Sequence, residues 1–224
     1  MQIPVVRQGR EGADGVDVYQ QLREAIVDGT FPADSPLTEN SLAAHFSVSR
    51  TPVREALRRL EQDGLVERGA RGMQVRGRSP EEILEIYEVR IVLEGAAARA
   101  AAERHTELDL LKLDQVHSTM LAASTDDPER LAMANRRFHE AVWATSHNAT
   151  LVDLLDRLHA HLTRYRETTL VYPGRLEAAV KEHRELIAAI KAGDRDRAGR
   201  IAEDHMTGAR NARLQMYAEA EATR

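Results

Sequence analysis

Apolar residues recur at helical spacing along most of this chain. Val18, Leu22, Ala25 and Ile26 share one face of a segment over residues 16–28 that Gly29 ends. Residues 30–37, with Pro32 and Pro36, read as a loop. Leu42 and Phe46 then lie one turn apart in a short helix over 39–46, begun by Thr38 or Glu39. Ser47, Val48 and Ser49 are too few and too polar for a helix. They read as a turn, with Ser49 the expected N-cap of a third helix. There Pro52 sits in the first turn, where its missing N–H does no harm, and Glu55 suits the helix dipole. Val53, Ala56, Leu57 and Leu60 form that helix's apolar stripe, and Gly64 stops it. Two short runs, 65–68 and 73–76, flank Gly69-Ala70-Arg71-Gly72 and predict a β-hairpin. Two helices joined by a tight turn and followed by a hairpin make a winged helix-turn-helix.

Gly77-Arg78-Ser79-Pro80 marks a boundary, with Ser79 capping and Pro80 opening the next helix, and Glu81 and Glu82 in its first turn. From there the helical period runs to the end, predicting helices at about 80–103, 107–123, 128–146, 148–169, 175–192 and 195–218. Short polar or Pro/Gly breaks separate them, so neighbours pack antiparallel. The expected fold is mainly α: an N-terminal winged helix-turn-helix followed by an antiparallel bundle of six or more helices. The expected divisions are a loose arm at 1–13, a DNA-binding domain at 14–78 and an all-helical domain at 79–220.

Composition narrows the function classes. The chain has 224 residues, 42% of them hydrophobic but only 4% aromatic, which favours helix bundles over a sheet core. With no cysteine, disulfides and thiolate metal sites are excluded. No apolar run approaches a membrane span, and the first residues carry no secretory pattern, so a soluble, cytoplasmic protein is expected. The net charge of −5 hides a local excess of the opposite sign. Residues 47–78 hold eight arginines against four acidic residues.

Those arginines fall where a DNA reader needs them. Arg50, Thr51 and Arg54 stand at the N-terminal end of the third helix, Arg58 one turn further on, and Arg71 at the hairpin tip. Helices that enter the major groove meet base edges with their N-terminal side chains. Arg50 and Arg54 are therefore expected to read bases, and Thr51, Arg58 and Arg71 to contact phosphates or the groove edge.

The helical domain carries a second pattern. Leu131, Asn135, Phe138, His139 and Val142 share one face. His183 lies in the stripe Leu176, Ala179, Val180, Ile187 and Ile190, and His205 in the stripe Ala198, Ile201, Ala202 and Ala209. A core does not accommodate three unpaired imidazoles cheaply. Each is either a core histidine bonded to a neighbour, or all three converge on one metal ion with Asn135 at helical spacing. Arg90, on the stripe Ile83, Tyr87, Arg90 and Glu94, is either a partner for a carboxylate ligand or one half of an i, i+4 ion pair with Glu94. His161, between Leu158 and Tyr165, faces partly inward and is a further pocket-lining residue.

The run LTENSLAAHFSVSRTPVREALRRLEQDGLVERGARGMQV resembles the winged helix-turn-helix of GntR-type bacterial transcription regulators. YEVRIVLEGAAARAA, NRRFHEAVW and the His183 and His205 helices resemble the ligand-binding domain of its FadR-like subgroup. The likeness covers about residues 14–217. It implies a homodimer on a palindromic operator, with DNA contacts at Arg50, Thr51, Arg54 and the wing around Gly72. It further implies a small organic acid bound beside a divalent metal (zinc, nickel or manganese), with Asn135, His139, His183 and His205 as ligands. Two positions depart from the family pattern. Asn135 stands where Asp is usual, and Asn40 where an Arg often stands. An all-neutral ligand set leaves the ion's charge uncompensated and favours an anionic effector. The histidine set argues against the acyl-CoA-binding branch.

The expectation is a ligand-responsive regulator, most simply a repressor, with a carboxylate effector near the metal, Arg90, Tyr87 and His161. Two rivals are a metal-dependent enzyme carrying a DNA-binding domain and a DNA-binding protein with a purely structural bundle. Against an enzyme, there is no H-E-x-x-H arrangement and no nucleophile elbow, and Glu140 points about 100° away from His139 on a helical wheel.

Overall fold

A computed structural model describes residues 17–69, 72–122, 127–162 and 168–222. The expected N-terminal arm at 1–13 and Arg71 lie outside the described residues. The described chain forms two compact units, one within Met1–Arg78 and Ala160–Arg166, the other within Ser79–His159 and Glu167–Arg224.

In the first unit, α1 (Val18–Val27), α2 (Glu39–Phe46) and α3 (Arg50–Gln62) surround a core that includes Leu22, Ile26, Leu42, Val53 and Leu60. Asp17 caps α1 by accepting from the Gln20 N–H, and Thr38 caps α2 through the Ser41 N–H. Ser47 ends α2 in the left-handed region at φ 54°, which makes the tight turn into α3. The expected Ser49 cap is not made, since its side chain forms no capping hydrogen bond. Gly64, at φ +67°, turns the chain out of α3. At that end the Tyr19 hydroxyl donates to Asp63 at 2.6 Å, tying α1 to α3.

The hairpin is present as β2 (Val66–Gly69) and β3 (Gly72–Val75). A third strand, β1 (Pro36–Leu37), pairs antiparallel with β3 and gives the order β1-β3-β2. Residues 36 and 37 read as loop from sequence because two residues, one a proline, carry no period. Pro36 is tolerated because β1 is an edge strand, and Leu37 fills the core.

The second unit is all helix among its described residues: α4 (Pro80–Arg104), α5 (Glu107–Leu121), α6 (Pro128–Thr145), α7 (Ala149–Leu162, whose last turn belongs with the first unit), α8 (Arg175–Lys191) and α9 (Arg195–Ala222). Ser79 and Glu82 form a full capping box on α4 with Pro80 in the first turn, and Thr106 and Asp109 form another on α5. The helix expected to run from 148 to 169 is described as helical only to Leu162; Thr169–Val171 is a separate 3-10 turn capped by Thr168. The most extensive packing is between α4 and α9. They run antiparallel, as the pairs Arg99–Glu203 and Arg195–Glu103 require. Gly95 and Gly199 permit the close approach, for a Cβ at either would collide with Glu203 or Arg99. This pairing sets His205 on α9 near the level of Glu94 on α4.

Candidate functional sites: an arginine face and a three-histidine centre

Amphipathicity decides which side of α3 meets solvent. Val53, Ala56, Leu57 and Leu60 are buried, and Arg50, Thr51, Arg54 and Arg58 are all exposed on the outer side. Gly72 opens β3, exposed, at φ +117°. Arg54 is not free in this arrangement. Its Nε and Nη2 donate to the two carboxylate oxygens of Glu39, each at 2.9 Å, and Arg50 Nε lies 3.5 Å from the same group. The hydrogen bond from Arg54 holds the Glu39 carboxyl below its ordinary range. Sequence reasoning missed Glu39, because the contact spans the turn between α2 and α3.

In the helical unit, His139 on α6, His183 on α8 and His205 on α9 are all buried and meet. Their ligand atoms lie within 4.8 Å of one another. The Nε2 of His205 is 3.4 Å from that of His183 and 3.3 Å from that of His139. Asn135 stands one turn before His139 on α6, and its Oδ1 is buried with no hydrogen-bond partner. Three convergent imidazole nitrogens, with a buried acceptor that has no partner one turn along α6, are a donor set that fits a divalent cation.

Around this centre stand charged groups. Glu94 on α4 accepts from Arg90 at 2.5 Å and from the Trp143 indole N–H at 2.7 Å, and its Oε2 lies 3.6 Å from His139 Nδ1. Glu182 on α8 accepts from Arg175 at 2.8 Å and lies 2.7 Å from His205 Nδ1. Arg175 opens α8, where the dipole disfavours a cation. Its contacts with Glu182 and the His205 carbonyl, the latter at 2.9 Å, offset that cost. The His183 ring stacks on Phe138 at 3.8 Å.

Burial, with repulsion from His139 and Arg175, lowers the His205 pKa to about 4 against the pull of Glu182. Burial and then His205 push His183 well down. Burial would raise Glu182, but His205 and Arg175 outweigh it and hold it at about 2. Glu94 is likewise held well below the carboxylate range, with His139 and Arg90 overcoming its burial. His183 and His205 are therefore neutral and ready to ligate at neutral pH.

Of the residues expected to line an effector pocket, Arg90 and Tyr87 are buried on one face of α4, and Arg90 forms the i, i+4 ion pair with Glu94. Arg90 Nε remains a buried donor without a partner. His161 is not brought to this centre. It ends α7 within the first unit, where Ala160 joins the apolar core, and its ring faces the Arg78 guanidinium at 3.3 Å. Sequence reasoning missed Glu94 as a centre of contacts, and Glu182, Arg175 and Trp143 altogether. A carboxylate beside each histidine stripe was the only signal.

A winged helix-turn-helix joined to an all-helical domain with an inward polar centre defines a transcription regulator rather than an enzyme. The chain belongs to the GntR family of bacterial regulatory proteins: residues 15–73 match that family's DNA-binding domain and residues 85–208 match the FCD domain. It is 33% identical over 184 residues to the uncharacterised HTH-type transcriptional regulator YdhC of Bacillus subtilis, covering 80% of this chain and 82% of the relative. It is 27% identical over 191 residues to the HTH-type transcriptional repressor RspR of Escherichia coli, covering 84% of each. Among solved structures it superposes on McbR/YncC of E. coli with a TM-score of 0.76 and 25% identity, covering 91% of this chain and 98% of that one. No described helix is long and apolar enough to cross a membrane.

Proposed function

We propose that this regulator binds a palindromic operator as a homodimer and responds to a small carboxylate held beside a divalent metal in the helical domain. The observation that carries the reading is the convergence of three buried Nε2 atoms, with the unpartnered Oδ1 of Asn135 one helical turn before His139. Asn135, His139, His183 and His205 would hold the ion, which would supply a positive centre for an anionic effector. Arg90 adds the buried, unpartnered Nε to the same region. The domains run from about 14 to 78 and from 79 to 220, and the protein works in the cytoplasm beside its DNA. Arg50 and Arg54 read bases, while Thr51, Arg58, Arg71 and the wing at Gly72 contact the backbone or groove edge. An effector with different affinity for two dimer arrangements alters the spacing of the two recognition helices, and operator half-sites tolerate little change in that spacing.

Metal analysis of the purified chain, followed by thermal shift with zinc, nickel or manganese and then small carboxylates, tests this reading. Bound metal stabilises the folded state by mass action, by about 2.7 kcal/mol at a hundred times Kd. His183→Ala is expected to remove that stabilisation and the effector response while leaving operator affinity intact. Absence of any metal-dependent shift in the wild type would sink the metal reading.

A further inference from the structure

Carboxylates stand behind two of the three imidazoles. Glu182 Oε2 lies 2.7 Å from His205 Nδ1. An ionised carboxylate only accepts, so this contact requires the proton on Nδ1 and leaves Nε2 with its lone pair. Arg175 also approaches this Nδ1, at 3.1 Å, but offers only donors, and its Nη2 is satisfied by the His205 carbonyl at 2.9 Å. On the other side, Glu94 Oε2 faces His139 Nδ1 at 3.6 Å and draws the proton to the same position on that ring. With each of these two rings carrying a single proton, on Nδ1, the Nε2 atoms of His139 and His205, 3.3 Å apart, face each other lone pair to lone pair. Two lone pairs at that distance repel. Between these two tautomers no hydrogen bond relieves the contact, whereas a cation does.

The third ring is held differently. His183 Nδ1 is buried with no partner, and stacking on Phe138 fixes the ring instead. The carboxylates are themselves anchored, Glu94 by Arg90 and Trp143 and Glu182 by Arg175.

Building on the metal reading above, we propose that Glu94 and Glu182 are positioning residues for the metal centre, fixing the tautomers of His139 and His205 and bringing the negative charge that Asn135 does not. Carboxylates behind metal-bound histidines raise ligand basicity and orient the ring. Here they also answer how an all-neutral ligand set holds a divalent ion.

The test uses the full chain, with zinc and cobalt as probes in competition with a chelator. Glu182→Gln keeps the side chain's size but loses its charge. It is expected to weaken metal binding about 10- to 100-fold and to shift the visible absorption of the cobalt form. The metal-free variant is expected to lose some stability, because buried Arg175 keeps only a neutral partner, so affinity is compared on folded protein well below each variant's melting temperature. Adding Asn135→Asp should raise affinity more in the Glu182→Gln background than in the wild type, which a merely structural role for Glu182 would not predict. Glu94→Gln should weaken binding similarly; if that variant fails to fold, Glu182→Gln carries the test. Wild-type binding with both variants within about twofold of it overturns the inference and leaves the metal reading standing. No binding by the wild type overturns both.

Discussion

The two units bury different things. The first has an apolar core, with Leu22, Ile26, Leu42, Val53 and Leu60 all essentially inaccessible. The α3 arginines Arg50, Arg54 and Arg58 are on the outside. The second buries Arg90, Glu94, His139, Arg175, His183 and His205 among its helices. One unit carries its chemistry on the surface and uses its interior only for stability. The other accepts a less stable kind of interior in order to enclose polar groups. That is the division expected between a part that meets a large partner face-on and a part that surrounds a small one. Charged groups in a core need partners, and the Arg90–Glu94–Trp143 and Arg175–Glu182–His205 sets supply most of them, with Arg90 Nε and Arg175 Nε left over.

Breaking a network in the second unit should have the largest effect. Glu94→Ala leaves the Arg90 guanidinium buried without its anion and is expected to cost about 3–5 kcal/mol in chemical denaturation. Replacing both residues together with apolar ones of similar volume should cost much less, and equal losses would mean that the pair is not acting as a network.

A smaller effect should follow pH. The His205 pKa is lowered from 6.5 to about 4, so the unfolded chain binds more protons than the folded one between those values. Stability of the metal-free protein should therefore fall as pH drops from 6.5 towards 4, with His183 adding in the same direction. His205→Gln should flatten that slope; an unchanged slope would place the acid sensitivity elsewhere.

On the outer surface of the first unit, Arg54→Ala should weaken operator binding roughly ten- to a hundredfold and affect random DNA less. Equal losses in a competition gel shift would argue against base reading. The smallest change separates two caps that look alike in sequence. Thr38→Ala removes an observed cap and should cost about 1 kcal/mol, whereas Ser49→Ala removes none and should cost well under half of that.

Local signals were legible where one helix turn or one cap contains the whole cause. The bounds of α2, the Ser79–Pro80 start of α4 and the buried face of α3 all follow from spacing and capping. The inward direction of the three histidines was legible too, because the 3.6-residue period reports which face is apolar. The strand β1 was not, since its partner is more than thirty residues away and its own two residues carry no pattern. Nor was the fate of His161, which shares the helical spacing of an inward residue but ends its helix against Arg78.

By itself the sequence determined the helical class, the division near Ser79, the arginine face of α3 and the inward turn of His139, His183 and His205. Each of these depends on neighbours within a turn or two, where backbone geometry alone sets direction. Only the tertiary structure decided that the three rings meet at their Nε2 atoms, that Glu39 holds Arg54, and that Glu94 and Glu182 stand behind two of the histidines. Those contacts join different helices, and their distances depend on how α4, α6, α8 and α9 cross. The close α4–α9 packing at Gly95 and Gly199 is written in the chain as two glycines, but what it brings together is not.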